Sequence, residues 1–173
     1  MIVLDPSLTT LAYRCHPYGC PRGRTCCVGL VVEVSRREVR AIDTLMDELA
    51  RIVPSLRLRH GREFANVFVD DPPGLVIEER DDGSCPFLFR TRRHALCGIH
   101  HVALGTDRDV RAFKPAACRH WPITLEADGA DVRVSVQPAA ARIGCVAPVG
   151  ELPGKPTVLE AFRDEIAALT GAV

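Results

Sequence analysis

The sequence predicts an α+β fold in a single domain. The chain has 173 residues, which is the usual size of one domain. Two segments carry apolar residues at helical spacing behind a capping motif, and other segments alternate apolar and polar residues as strands do. Hydrophobic residues make up 47% of the chain and charged residues 25%, so a folded core can form without disulfides. We therefore expect one domain over residues 1–173, with two amphipathic helices and a short antiparallel sheet.

The first predicted helix follows a capping box. Ser35-Arg-Arg-Glu38 has the Ser and Glu spacing in which each side chain accepts a hydrogen bond from the other residue's backbone N–H. Apolar residues then recur at helical spacing from Val39 to Val53, and Pro54 ends the pattern.

Strands are predicted on both sides of this helix and again in the second half of the chain. Val28–Val34 and Leu75–Glu79 are rich in β-branched and other apolar residues. The segments 122–126 and 131–137 flank Asp128-Gly129, a dipeptide typical of tight hairpin turns. We expect these two segments to pair as an antiparallel hairpin.

A second helix is expected over residues 157–170. Thr157-Val-Leu-Glu160 repeats the capping-box spacing, and apolar residues then share one face until Gly171. The segment 148–156 before it holds three prolines and two glycines, which predicts a structured loop.

Charge and hydropathy exclude several classes of partner. The chain has 22 Lys and Arg against 22 Asp and Glu, so its net charge is zero and it offers no basic surface for nucleic acid or an anionic membrane. The longest apolar run is about five residues, against the ~20 that a membrane span needs. An early Asp5 and the lack of a basic, then apolar, leader argue against a secretory signal. We expect a cytoplasmic protein.

The eight cysteines need an explanation of their own. Reducing conditions in the cytosol favour metal ligation over disulfides for such thiols. The first four lie in a loop with Pro and Gly between them and little apolar surface, so a metal could supply the energy that orders the loop. Each of the others also has Gly or Pro nearby, as in turns. The candidate metal ligands are Cys15, Cys20, Cys26, Cys27, Cys85, Cys97, Cys118 and Cys145.

The order and spacing of these cysteines resemble the YkgJ-type cysteine-cluster family, whose members are described as zinc- or iron-chelating and often as iron-sulfur proteins. The family pattern is C-x-x-C-x-x-C-C, then C-x-F-L, C-x-I-Y, C-R-x-F-P and a downstream Cys. The matching segments, within residues 13–150, are Cys26-Cys27, Cys85-Pro-Phe-Leu88, Cys97-Gly-Ile-His100, Cys118-Arg-His-Trp-Pro122 and Cys145.

This chain departs from the family pattern in two places. The first loop is expanded to C-x4-C-x5-C-C, which leaves the roles of Cys15 and Cys20 open. His100 and Trp121 stand where the family has Tyr and Phe.

The resemblance implies an iron-sulfur cluster of the [4Fe-4S] type, with zinc as the alternative because sulfur-only ligation suits both. Eight thiolates can form two four-thiolate centres, a cluster and a zinc site, or one centre with additional structural thiols. Side chains of adjacent residues in an extended segment point to opposite sides, so Cys26 and Cys27 could serve different centres. Four histidines near cysteines are candidate ligands or hydrogen-bond donors to ligands: His16, His100, His101 and His120.

Several functions fit such a protein. The leading hypothesis is electron transfer or support of a partner protein, either a redox or a modification enzyme, through the cluster. The alternatives are a structural zinc module that binds a protein partner and a metal chaperone or sensor. The sequence has neither a complete catalytic signature nor a phosphate-binding glycine loop, so independent enzyme activity stays open.

Overall fold

The computed structural model describes residues 1–15, 20–21, 24–58, 63–72 and 74–171. Helices and several small, mainly antiparallel sheets occur together, which confirms the predicted α+β class. The helices are α1 (Ser7–Thr10), α2 (Arg36–Asp43), α3 (Met46–Ile52), α4 (Gly98–Gly105), α5 (Val110–Phe113), α6 (Ala116–His120), α7 (Ala139–Ile143), α8 (Val158–Ala161) and α9 (Arg163–Thr170). The strands are β1 (Ile2–Leu4), β2 (Leu11–Tyr13), β3 (Cys20–Pro21), β4 (Val32–Val34), β5 (Phe68–Asp71), β6 (Gly74–Ile77), β7 (Leu88–Arg90), β8 (His94–Cys97), β9 (Ile123–Asp128), β10 (Asp131–Val136) and β11 (Val146–Pro148).

The residues group into two compact units. One comprises residues 17–119, and the other comprises residues 1–16 with 120–173. Each has its own buried apolar cluster. Within the described part of the chain, no helix is long and apolar enough to cross a membrane.

The unit 17–119 combines two small antiparallel sheets with helices α2 to α6. The sheets have the strand orders β4-β6-β5 and β3-β8-β7. The predicted helix after Ser35 forms with its capping box, but it is divided into α2 and α3 by a turn at Thr44 and Leu45. The Thr44 hydroxyl donates to the Ala41 carbonyl at 2.7 Å and so competes with regular helical bonding. Leu45, at the turn, is fully buried in the core.

The other unit contains the predicted hairpin and the C-terminal helical segment. β9 and β10 pair in register around Gly129, whose φ of 64° suits a glycine, and β1 joins β10 in parallel. The Thr157–Glu160 capping box is present, yet the expected helix is divided into α8 and α9 at Phe162. The Phe162 side chain packs in the core with its ring edge-on to Tyr13, at 4.7 Å between centroids.

Candidate metal centre

Cys97 interacts with three other cysteines of the unit 17–119. The thiols of Cys27 and Cys97 are hydrogen bonded, and Cys85 interacts electrostatically with Cys27 and Cys97. Cys118 interacts in the same way with Cys97 and Cys85. These four partly buried residues, which carry thiols rather than disulfides, are called the four-cysteine cluster below.

Cys27 is held by a turn that pairs with the segment before Cys85. Its backbone N–H donates to the hydroxyl of the buried Thr25 at 3.2 Å, and its carbonyl accepts from the Cys85 N–H at 2.8 Å. Cys26 lies in the same turn, and its side chain is hydrogen bonded to that of Cys27. The extended geometry expected for Cys26 and Cys27 is therefore wrong. The bond with Cys26 raises the pKa of the Cys27 thiol well above its ordinary value of 9.0, and burial adds to the effect.

Cys85 begins a turn that leads into β7. The Leu88 N–H donates to the Cys85 carbonyl at 3.0 Å and closes this turn. Burial, and then the nearby Cys97, raise the pKa of Cys85 to about 12, although the backbone at Phe87 and Leu88 and the positive charge of Arg80 act to lower it.

Cys97 occupies the N-cap position of α4. Its side chain makes no capping hydrogen bond to the first turn of the helix. Gly98 follows, and its N–H donates to the Phe87 carbonyl at 2.8 Å. The hydrogen bond with Cys27, and then burial, raise the pKa of Cys97 well above 9.0, while the positive charge of Lys114 opposes them.

Cys118 lies within α6, so the turn expected at this cysteine is wrong. The α6 segment is fixed at its start because the Ala116 N–H donates to the Glu38 carboxylate at 2.7 Å. Glu38 is also the closing residue of the α2 capping box. Burial and the nearby Cys97 raise the pKa of Cys118 to about 12, and Lys114 opposes the shift.

The donor set consists of four sulfurs with soft-metal chemistry, which suits zinc or an iron-sulfur cluster. Burial and the neighbouring thiols raise the pKa of all four sulfurs and so favour their protonated form, and binding of a metal would release protons. Among the described residues, no three His, Cys, Asp or Glu side chains are arranged so that they could hold a metal ion.

Three further predicted ligands, besides Cys26, are not among these four residues. Cys20, in β3, pairs with Ala95 of β8. Cys15 is exposed and belongs to the unit that also contains Cys145. The Cys145 thiol donates to the Ala140 carbonyl at 3.4 Å, and its own carbonyl accepts from the Arg14 N–H at 2.8 Å.

The predicted histidines have different surroundings. His100 is half-buried, and burial, Lys114 and His101 lower the pKa of its ring. The His101 ring packs edge-on against Phe89 at 5.3 Å between centroids. His120 belongs to the unit of Cys145, and His16 lies outside the described residues.

Sequence analysis missed the polar residues that support the four-cysteine cluster. Thr25 and Glu38 are two of these, and Arg80, whose guanidinium holds the Cys85 turn, is a third. The capping-box motif predicted a structural role for Glu38 at the start of α2. It did not predict the hydrogen bond that Glu38 also accepts from the Ala116 N–H. Lys114 is the cation close to Cys97 and Cys118.

No protein-family model, curated protein or solved structure matches this chain. The site is therefore interpreted from its own geometry and chemistry.

Proposed function

We propose that this chain is a metal-binding protein whose main centre is an iron-sulfur cluster of the [4Fe-4S] type, held by Cys27, Cys85, Cys97 and Cys118. The observation that carries the proposal is that Cys97 lies close enough to Cys27, Cys85 and Cys118 to affect the pKa of each, although the four come from separate segments of one unit. Four cysteines are the standard ligand set of such a cluster.

The surroundings of the sulfurs support the proposal. Lys114 places a positive charge near Cys97 and Cys118, and Arg80 places one near Cys85. Nearby positive charge stabilises thiolates and an anionic cluster. A bound cluster would supply reversible one-electron chemistry, and the chain's own part is to fix the sulfurs and tune their electron density.

The proposed role is electron transfer, or support of a partner enzyme with redox or modification activity, in the cytoplasm. The cytoplasmic location is proposed because thiols remain reduced there. The resemblance to the YkgJ-type family is part of this proposal, and so is a second thiolate site drawing on Cys15, Cys20, Cys26 or Cys145.

The first test is elemental analysis together with a visible spectrum of protein purified without oxygen. About four irons with matching sulfide and a brown colour are expected. Zinc without visible absorption would instead indicate the structural zinc module, and a protein with neither metal would overturn the metal-binding proposal.

The ligand assignment is tested by single Cys→Ser variants. Replacement of Cys27, Cys85, Cys97 or Cys118 should greatly lower the bound iron. Thr157→Ala is the control, because it removes a helix cap in the unit of residues 1–16 and 120–173 and leaves every sulfur in place. An equal loss of iron in Thr157→Ala would show that the four-residue assignment is wrong.

A further inference from the structure

The hairpin formed by β7 and β8 ends in a basic turn. Residues 90–94 read Arg-Thr-Arg-Arg-His, and all five are exposed. The Thr91 hydroxyl accepts from the backbone N–H groups of Arg93 at 3.3 Å and His94 at 3.0 Å, and these bonds fix the turn. Within the part of the chain that the structure describes, Arg92 and Arg93 form no ion pair. These two arginines are called the basic tip below.

A cavity of about 470 Å³ in the same unit carries the opposite charge. Its apolar lining comes from three buried residues, Leu56, Val67 and Pro86. Four carboxylates and one guanidinium also line it: Glu78, Glu79, Asp81, Asp82 and Arg80. Negative charge around an apolar pocket suits an arginine, which buries its methylene groups while its planar fork pairs with carboxylates. This space is called the acidic cavity below.

The basic tip and the acidic cavity are neighbours on the surface. Arg90 Nη1 lies 3.6 Å from Oδ2 of Asp82, which lines the cavity. Arg92 follows Arg90 by two residues, so their Cα atoms are at most about 8 Å apart. Glu79 and Asp81 form no ion pair with any described residue. One molecule therefore presents two adjacent surfaces of opposite charge, each with charged groups that the described residues leave unpaired.

A second copy of this chain can satisfy both surfaces in one contact. Where complementary patches lie side by side, a two-fold axis between them places each patch of one copy against the other patch of its partner. An unrelated acidic protein would engage only the basic tip, and a basic protein only the acidic cavity. The formal net charge of the chain is zero, so two copies do not repel each other over long distances.

We propose that this chain forms a two-fold symmetric dimer in which the basic tip of each copy enters the acidic cavity of the other. Each contact pairs arginine with carboxylate and covers the apolar lining of the cavity at the same time. Arginines packed into desolvated pockets are among the residues that dominate the binding energy of interfaces. The inference goes beyond the proposed function, because it depends on none of the cysteines and on no bound metal.

Sedimentation velocity of the full-length protein measures this association. The protein is purified without oxygen and kept reduced, so that disulfides between copies do not contribute. Wild type should pass from monomer to dimer as its concentration rises. Added salt should weaken the dimer, because dissolved ions screen exposed charge pairs.

Two charge-reversed variants test the two surfaces. The tip variant carries Arg92→Glu and Arg93→Glu, and the cavity variant carries Glu79→Arg and Asp81→Arg. Each variant alone places like charges opposite each other and should raise the dimer dissociation constant roughly 10- to 100-fold. An equimolar mixture of the two should restore the dimer, because the reversed tip then meets the reversed cavity while the two native surfaces meet each other.

Arg36→Glu with Arg37→Glu is the matched control for the tip variant. These adjacent arginines are exposed in the same unit, in the first turn of α2. The control reverses the same amount of charge and should keep the wild-type dissociation constant. Circular dichroism and urea unfolding check that each variant is folded. If a reversed variant does not fold, Arg92→Ala with Arg93→Ala and Glu79→Gln with Asp81→Asn test the same surfaces more mildly.

Several results would overturn the proposal. Wild type that stays monomeric at every concentration is one, and a dimer that both the tip and the cavity variants retain is another, since association then uses a different surface. A folded mixture of the two variants that stays monomeric would also overturn it, as would an equal loss in the control. A monomeric wild type whose basic tip binds poly-glutamate or duplex DNA would assign the tip to an anionic partner in place of a second copy.

Discussion

Replacing Glu38 by Gln should loosen the helix that carries Cys118 and leave α2 capped. One carboxylate oxygen of Glu38 accepts from the Ser35 N–H at 2.8 Å, and the other accepts from the Ala116 N–H at 2.7 Å. Gln also serves in capping boxes, so its single oxygen can keep the bond to Ser35. Its amide NH₂ group would then face the Ala116 N–H, donor against donor.

The magnitude follows from the lost bond. A hydrogen bond to a charged acceptor contributes about 1.5–3 kcal/mol when shielded from water. Glu38 is partly exposed, so we expect the lower part of that scale, about 1–2 kcal/mol. This corresponds to roughly a 5- to 30-fold change in an opening equilibrium.

Glu160 offers a matched control for this change. It closes the Thr157 capping box with bonds of 2.8 Å and 3.0 Å, and among the described residues it makes no long-range hydrogen bond like that of Glu38. Glu160→Gln loses the same charge near a helix N-terminus, which is worth about 0.3–1 kcal/mol. The difference between the two variants therefore isolates the bond to Ala116.

The assay is amide hydrogen exchange of the segment 115–120 in the full-length protein, followed by mass spectrometry. Exchange should accelerate roughly 5- to 30-fold in Glu38→Gln and stay unchanged in Glu160→Gln. Burial raises the pKa of Glu38, but the hydrogen bonds from Ser35 and Ala116 outweigh it and hold the pKa below its ordinary value of 4.5. The difference in exchange rate between wild type and Glu38→Gln should thus have its full size above pH 4.5 and should disappear as the pH falls through the lowered pKa. Equal exchange rates in Glu38→Gln and Glu160→Gln would refute the reasoning. So would a difference between wild type and Glu38→Gln that persists in acid.

Two further predictions concern the same unit. Gly98→Ala should destabilise it by about 1–3 kcal/mol in urea unfolding, because the added Cβ would lie 2.8 Å from the Phe87 carbonyl oxygen. Gly105→Ala, at the other end of α4, meets nothing within 4 Å and should be neutral or slightly stabilising, so equal losses in both variants would contradict the packing argument. Hydrogen bonds from the Ser84 hydroxyl and N–H lower the pKa of Asp82 from its ordinary 3.8. The stability that ionised Asp82 contributes to the folded protein is therefore present above pH 3.8 and is lost as the pH falls through the lowered pKa. Stability of Asp82→Asn between pH 2 and 5 should accordingly depend less on pH than that of wild type, and an unchanged slope would count against this role.

Local signals predicted the starts of elements well and their continuity poorly. Both capping boxes and the hairpin around Gly129 form because their bonds join residues a few positions apart. The two expected helices are each divided, at Thr44 and at Phe162, where a side-chain bond or core packing competes with helical geometry. Such competition depends on tertiary neighbours, which the spacing of apolar residues does not contain.

The sequence marks the eight cysteines as candidate ligands, but it does not indicate which of them lie together. The chemistry of eight cysteines is by itself enough to suggest metal ligation. Which four interact depends on contacts between distant segments, and the supporting bond from Ala116 to Glu38 spans 78 positions. Arg80 was not singled out because an arginine beside a turn has no distinctive sequence signal until its two carbonyl partners are known.

The attachment of the cysteines to the core bears on what a metal would do here. In a structural zinc module the metal supplies most of the folding free energy, because the loops that bind it have no core of their own. Cys85, Cys97 and Cys118 instead pack against a cluster of buried apolar residues that includes Leu49, Phe87 and Ile99. This packing orders three of the four proposed ligands by hydrophobic burial, independently of a metal. A metal in the four-cysteine cluster is thus better explained by the chemistry that it supplies than by a need to hold the fold together.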